Sequence, residues 1–325
     1  MYASICLYFH SHLSWFFSST TLQASLVKVG HLNADTFMGF LAVSCMFAGA
    51  ATSALQGGMF GLAGLLPGVY TQSLLLGQAL AGLIVAGLNV LFLRGGVDLG
   101  FNPAFVYFIT SCIVAFFALF AFVWVVRTPV MKYYAQHDTV ESSPAKPKEY
   151  EIRRTFDAIY DQLLIVGYNF FITLLVFPSL TSKIIDHNQW LVQADGTNLF
   201  VPVFTFLLFN LGDVVGRTLS AYGNLFTAYN LRYAVLVRTL FVPAFLLCDV
   251  KFSIVSAVLF NSDLWYILFM ILFSVSSGYL GAQCMMFGPQ CADVRDRECA
   301  GTMMAFSLTI GLLIGSWLSF LLIAD

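Results

Sequence analysis

An all-α, polytopic membrane protein is the fold class that the sequence predicts, and three observations carry it. Of 325 residues, 59% are hydrophobic and only 10% are charged. The mean hydropathy of +0.83 lies far from the balance of a soluble globular domain. Apolar runs of about 20 residues, each able to cross roughly 30 Å of hydrocarbon as a helix, recur along the chain. Alternating strands of about ten residues, the mark of a membrane barrel, are not visible.

The spans follow in order. Between Asp35 and Arg94 no charged residue occurs. That stretch is too long for one helix and predicts two antiparallel ones, at about 36–64 and 69–93, turning at "LLPG" (Leu65 to Gly68), where Pro67 removes a backbone donor. Further spans are expected at about 103–126, 157–180, 199–222, 233–250, 264–289 and 299–323, eight in all. Residues 5–29 are apolar but carry two histidines and several serines, so they are either a ninth span or an amphipathic segment. A cleavable signal peptide is disfavoured, because no basic residue precedes the apolar part and no small-residue cleavage site follows.

The long polar segment "YYAQHDTVESSPAKPKEYEIRRTF", Tyr133 to Phe156, is charged and holds two prolines. It reads as a mobile linker. The expected organisation is therefore an N-terminal bundle over 1–130, a cytoplasmic linker over 131–156 and a five-helix C-terminal bundle over 157–325. With the linker in the cytoplasm, Arg127, Lys132, Lys146, Lys148, Arg153, Arg154, Arg232, Arg238, Arg295 and Arg297 fall inside, and only Lys28, Arg94, Lys183 and Lys251 outside. The positive-inside rule supports that orientation and puts Asp325 on the outer or lumenal side. Arg217 is the one basic residue left within a span.

The formal net charge of -2 decides little. No CxxC pair or His-bearing metal spacing appears, so neither a disulfide framework nor a metal site is expected; Cys45, Cys112, Cys248 and Cys284 read as small helix-packing residues.

One span carries polar residues in its middle. In "FNLGDVVGRTLSAY", residues 209–222, Asn210, Asp213 and Arg217 join Phe206 at spacings of four, three and four, which places them within about 60° on one helix face. A charge near the bilayer centre costs on the order of 3 kcal/mol, so such residues face a bundle interior or a water-filled path and seek partners. Asp213 and Arg217, at i and i+4, suit one another. A packing device is one reading, but it needs no further amide and ring on the same face, which favours function. Cys45, Gly49, Thr52 and Gln56 repeat the spacing on the span before Pro67. There Gln56 serves either helix association or a substrate. The glycines at 57, 58, 61, 64 and 68 suit close helix packing; a phosphate loop is excluded by the missing Lys-Ser/Thr.

"LQGGMFGLAGLLPGVYTQSLLLGQALAG" (Leu55 to Gly82), "FNLGDVVGRTLSAY", "RTLFVPAFLLC" (Arg238 to Cys248), "SSGYLGAQCMMFGP" (Ser276 to Pro289) and "ECAGTMMAFSLTIGLLIGSWLSFLL" (Glu298 to Leu322) resemble the equilibrative nucleoside transporter family, in order from about residue 25 to 323. The resemblance implies eleven helices in a major-facilitator-like, six-plus-five arrangement, with substrate held between two bundles and a cytoplasmic linker after the sixth. This chain then corresponds to helices three to eleven, and lacks a Pro-Trp-Asn motif that helps form the family's cavity. Carried over by position, the resemblance sets Gln56 opposite the nucleoside base and Asp213 with Arg217 near the ribose. Phe177, Phe206, Asn210 and Pro178 match cavity-lining positions, and Gly77 and Gly82 match family glycines with packing or gating roles. Two positions depart from the pattern: Ser277 replaces an Asn, and Asp249 stands where Asn is common.

The implied substrate suits the residues. A nucleoside joins an aromatic base to a hydroxyl-rich ribose without net charge, which calls for an apolar slot and a few directed hydrogen bonds. A nucleotide needs more positive charge than one paired Arg. Facilitative transport by alternating access is the expected function, with nucleobases as an alternative substrate class. No cofactor, metal or nucleic acid is expected. The spans hold no histidine and their central carboxylate has an Arg partner, so proton coupling is not expected. An enzyme is disfavoured, since no catalytic constellation is visible. The rival reading is a truncated, transport-inactive relative with a regulatory role. The plasma membrane is the expected location, an intracellular membrane the alternative.

Overall fold

The structure, a computed structural model, describes residues 34–95, 103–131, 133–134, 148–193, 196–223, 225–250 and 258–322. The ninth span considered at 5–29 lies outside them. The helices are α1 (Ala34–Leu65), α2 (Gly68–Gly95), α3 (Pro103–Arg127), α4 (Lys148–Val176), α5 (Leu208–Tyr222), α6 (Leu231–Val237), α7 (Phe241–Leu246), α8 (Asp263–Cys291) and α9 (Arg297–Ser319). Among the described residues no β-strand occurs, only three isolated bridges. The chain is thus an integral, multi-pass helical membrane protein.

Six of the described helical stretches are long and apolar enough to cross a membrane. They correspond to six of the eight spans expected, those at 36–64, 69–93, 157–180, 199–222, 264–289 and 299–323. The stretch expected at 233–250 is α6, a 3-10 turn and α7 in uninterrupted succession, with seven, three and six residues, a run somewhat shorter than the about 20 of a regular span. The stretch expected at 103–126 is helical over its whole length as α3, 25 residues with no charge before Arg127. The Leu-Leu-Pro-Gly turn is where the sequence puts it. Pro67 lies between α1 and α2, and the Ala63 carbonyl at the end of α1 accepts both the Leu66 amide (3.1 Å) and the Thr71 hydroxyl (3.3 Å).

The charged segment does not stay irregular to Phe156. Helix α4 begins at Lys148, because Lys, Glu and Arg in "KEYEIRRTF" are good helix formers and Arg154 is anchored. Its Nε and Nη2 donate to the two Asp296 carboxylate oxygens at 2.8 and 2.6 Å, a fork that fixes α4 to the turn before α9.

The chain falls into two compact units, one drawn from 1–59 and 97–144, the other from 60–96 and 145–325. In the first, most described side chains of α1 and α3 present apolar groups outward, among them Met46, Phe47, Phe116, Phe117, Phe120 and Trp124. Lipid is the solvent such surfaces fit.

The second unit holds the core. Helix α8 lies at its centre, buried continuously from Ser277 to Met286, against α4, α5 and α9. Two apolar clusters fill it. One gathers Ile159 to Phe170 of α4 with Tyr279 to Met285 of α8 and Met304 of α9. The other is aromatic, joining Ile172 and Val176 of α4 with Phe209, Phe245, Tyr266, Met270 and Phe273. The break between them falls at Asn169 to Thr173 on α4 and Ser274 to Ser277 on α8, where polar residues are buried. A polar layer therefore crosses the middle of the unit.

Candidate functional site

The segment carrying the polar stripe opens irregularly. Val201 to Leu207 form a π-helical stretch with Pro202 at its start, which runs straight into α5. Thr205 anchors it: its hydroxyl meets Tyr266 Oη at 2.6 Å and the Thr181 carbonyl at 3.3 Å. Phe206 sits in this wider stretch, so the ideal rotation per residue that aligns it with Asn210 does not apply there. The two remain linked, since Asn210 Nδ2 donates to the Phe206 carbonyl at 2.8 Å.

One turn on, Arg217 Nε donates to Asp213 Oδ2 at 2.9 Å. Both residues are buried, Asp213 at 8% and Arg217 at 9% exposure. The pair expected from their spacing is thus formed within α5. Arg217 also reaches outward: its Nη1 donates to the Leu75 carbonyl of α2 at 2.9 Å. Gln72 answers in the opposite sense, its Nε2 donating to the Arg217 carbonyl at 2.9 Å. On the other side, α8 comes close enough that a Cβ on Gly278 would collide with the Asp213 backbone. The pair is covered by α2 and backed by α8.

The aromatic candidates meet. Phe177 stacks on Phe209 with centroids 3.9 Å apart and planes 10° from parallel, and takes Phe206 edge-on at 5.6 Å. One face of Phe177 is therefore already occupied. Phe209, which the sequence reading does not single out, is part of this group. Pro178 follows through a cis peptide bond, and its carbonyl accepts from the Ser182 amide at 2.9 Å.

The glycines separate. A Cβ on Gly82 would run into Asn210 Oδ1, so its missing side chain makes room for the stripe. A Cβ on Gly77 would meet nothing. Gln56 lies on α1 in the first unit, half-buried, while Cys45, Gly49 and Thr52 of its stripe are exposed. Cys248 and Cys284 are buried, as expected of packing residues, and Cys45 is not.

One residue corrects the sequence reading. Charge placement groups Arg238 with the inner flanking residues, but it is 1% exposed and lies in the polar layer. Its guanidinium donates to the Asn169 carbonyl (3.0 Å), the Asn169 side-chain oxygen and Thr173 Oγ1 (3.0 Å), and covers the Phe273 ring at 4.9 Å. Ser277 joins through Thr173 at 3.2 Å. A basic residue near a span's start looks like a flanking charge; three acceptors and a ring on α4 and α8 draw this one inward. Asp249, the other departure noted, pairs with His187 at 2.9 Å in the loop region away from this layer.

A groove of about 980 Å³ lies between α5, α6 and α8, walled by Leu219, Val237, Phe241, Ile271 and Leu272. None of the candidate site residues lines it, and its apolar walls suit acyl chains.

Comparison with known proteins agrees with these features. A family model described as "Nucleoside transporter" matches residues 42–324. The chain is similar to Equilibrative nucleoside transporter 1 of Homo sapiens, with 32% identity over 336 residues, covering 92% of this chain and 72% of the relative. It is also similar to Equilibrative nucleoside transporter 2 of Homo sapiens, 30% identical with 92% and 75% covered, and to Equilibrative nucleoside transporter 3 of Rattus norvegicus, 26% identical with 91% and 67% covered.

Proposed function

The chain belongs to the equilibrative nucleoside transporter family, and from that premise we propose that it moves nucleosides across a membrane by facilitated, alternating-access transport. The observation that supports this most directly is the Asn210, Asp213 and Arg217 set, with its buried ion pair, on a membrane helix of a chain whose relatives carry the name of nucleoside transporters. Asp213 supplies acceptors for ribose hydroxyls and Arg217 holds it in place. Phe206, with Phe177 and Phe209, supplies an apolar wall for the base, and Gln56, matched by the family resemblance, is the proposed amide partner of the base. In this reading the bundles of residues 1–130 and 157–325 rock about the site, with 131–156 as the cytoplasmic link.

Phosphorylated nucleotides fall outside the proposal. The Arg217 guanidinium is already engaged by Asp213 and by the Leu75 carbonyl, which leaves too little positive charge for a phosphate. Catalysis is no part of the reading, since the family is one of transporters. The plasma membrane is the proposed location. The alternative of an inactive or regulatory relative draws no support from the named relatives.

The test is uptake of a radiolabelled nucleoside into liposomes holding the purified chain. Saturable uptake that unlabelled nucleosides compete away, and that nucleoside monophosphates do not, is the expected result. Failure of nucleosides to compete would overturn the proposal.

A further inference from the structure

Arg217 does two separable things in the structure, and only one concerns Asp213. Its Nη1 donates to the Leu75 carbonyl, while its own carbonyl accepts from Gln72 Nε2. These bonds run in opposite senses between α2 and α5, from neighbouring turns of α2, so they resist both sliding and separation of the helices. Gln72 is 5% exposed and Leu75 fully buried, so water does not compete for either bond. In a low-dielectric setting such bonds hold more strongly than at a wet surface.

The location gives the clasp a consequence. Helix α4 starts on the face from which the polar segment enters, so α5, which runs back, ends on that same linker face. Arg217 lies near that end of α5, and Gln72 and Leu75 lie near the start of α2. The end of α1 and the start of α9 also meet closely on this face: a Cβ on Gly64 would collide with the Arg297 carbonyl, and one on Gly301 with the Phe60 backbone. In the two-bundle transport proposed above, α2 belongs to the bundle before the linker and α5 to the bundle after it, so on that reading a path that opens on the linker face parts them.

We infer that Gln72 and Arg217 form a clasp that holds the carrier closed on its linker face, with Gln72 acting as a positioning residue that serves transport without touching substrate. The inference rests on the transport reading above. Gln72 carries no charge and does not meet Asp213, so its loss changes the balance between carrier states and leaves the site chemistry in place. The Arg217 carbonyl is not orphaned by that loss, since Ser220 Oγ also donates to it at 2.7 Å.

The experiment compares Gln72→Met, which keeps the length and removes the donor, with the unaltered chain. Maximal zero-trans rates are measured in both directions in the same liposomes, normalised to inserted protein. Where return of the empty carrier limits turnover, loosening the clasp speeds return toward the linker-open state. The ratio of flux leaving from the linker face to flux arriving at it should therefore rise, by up to about fivefold for one net hydrogen bond. A merely structural residue would lower both rates together; that outcome, or an unchanged ratio, overturns the clasp. If Gln72→Met does not insert, Gln72→Asn, which withdraws the donor by one methylene, is read the same way. Asp213→Asn run in parallel separates the two ideas: wild-type transport by that variant sinks the site reading, whereas the direction ratio of the Gln72 variants judges the clasp alone.

Discussion

Asp213 and Arg217 show what a buried ion pair demands. Each is enclosed by α2 and α8, so removing one charge strands the other away from water, which costs on the order of 3 kcal/mol. Asp213→Asn should abolish nucleoside uptake and lower thermal stability in detergent. The double variant Asp213→Asn with Arg217→Gln should melt above either single one, since it leaves no stranded charge. A simple sum of the two single shifts would contradict the coupling. Gly82 and Gly77 make a sharper pair. Alanine at 82 pushes the Asn210 amide aside, and because that amide is the end of a side chain it yields without parting helices. Gly82→Ala should therefore reduce uptake affinity with little loss of stability, while Gly77→Ala, which meets nothing, should change neither. Equal effects at the two positions would count against a role for Asn210.

At the scale of elements, Arg238 ties three helical segments through neutral acceptors. Its partners are Asn169 and Thr173 on α4 and the Phe273 ring on α8, while it sits itself in the short turn between α6 and α7. That turn is only three residues of 3-10 helix, so side-chain bonds rather than helix length hold the α6 to α7 segment against the bundle. Asn169→Leu removes the side-chain oxygen and leaves a buried guanidinium with fewer acceptors, a loss of about 2 kcal/mol. Adding Arg238→Met should recover part of it, because an apolar side chain asks for no partner. Thermal unfolding of the purified single and double variants measures this; a double variant less stable than Asn169→Leu alone would show that Arg238 stabilises by some other contact.

For the whole molecule, the described spans offer one carboxylate deep in the bundle, and it is paired. Asp213 meets Arg217, whereas Asp263 lies at the start of α8, where it accepts from the Asn188 backbone and side chain of the adjoining loop. The relatives are named for equilibrative transport, which needs no coupled ion. Labelled nucleoside should enter liposomes only until the two sides are equal, and imposing or collapsing a proton gradient should leave the initial rate unchanged. Accumulation above the outside concentration would require a coupled ion and would contradict the equilibrative reading.

The sequence by itself determined the solvent, the helical class and the position of the central stripe. Those follow from local quantities: the length of apolar runs, the Pro67 turn, and a spacing of four between Asp213 and Arg217 that any α-helix turns into a contact. It also carried the family, because several motifs occur together in order. Tertiary structure decided whatever depends on which helix faces which. Arg238 reads as a flanking charge until α4 and α8 supply acceptors for it. Gln72 gives no signal in a run of mixed polarity, and its role exists only because α5 crosses α2 at Arg217. The anchoring of the first turns of α4 comes from Asp296, far along the chain, which receives Arg154. Phe209 shares its apolar character with most of the span, and only its stacking on Phe177 sets it apart. Periodicity fixes neighbours within one helix; contacts between helices are set by close approach at residues such as Gly278 and Gly82, and a single chain's pattern does not say where those approaches fall.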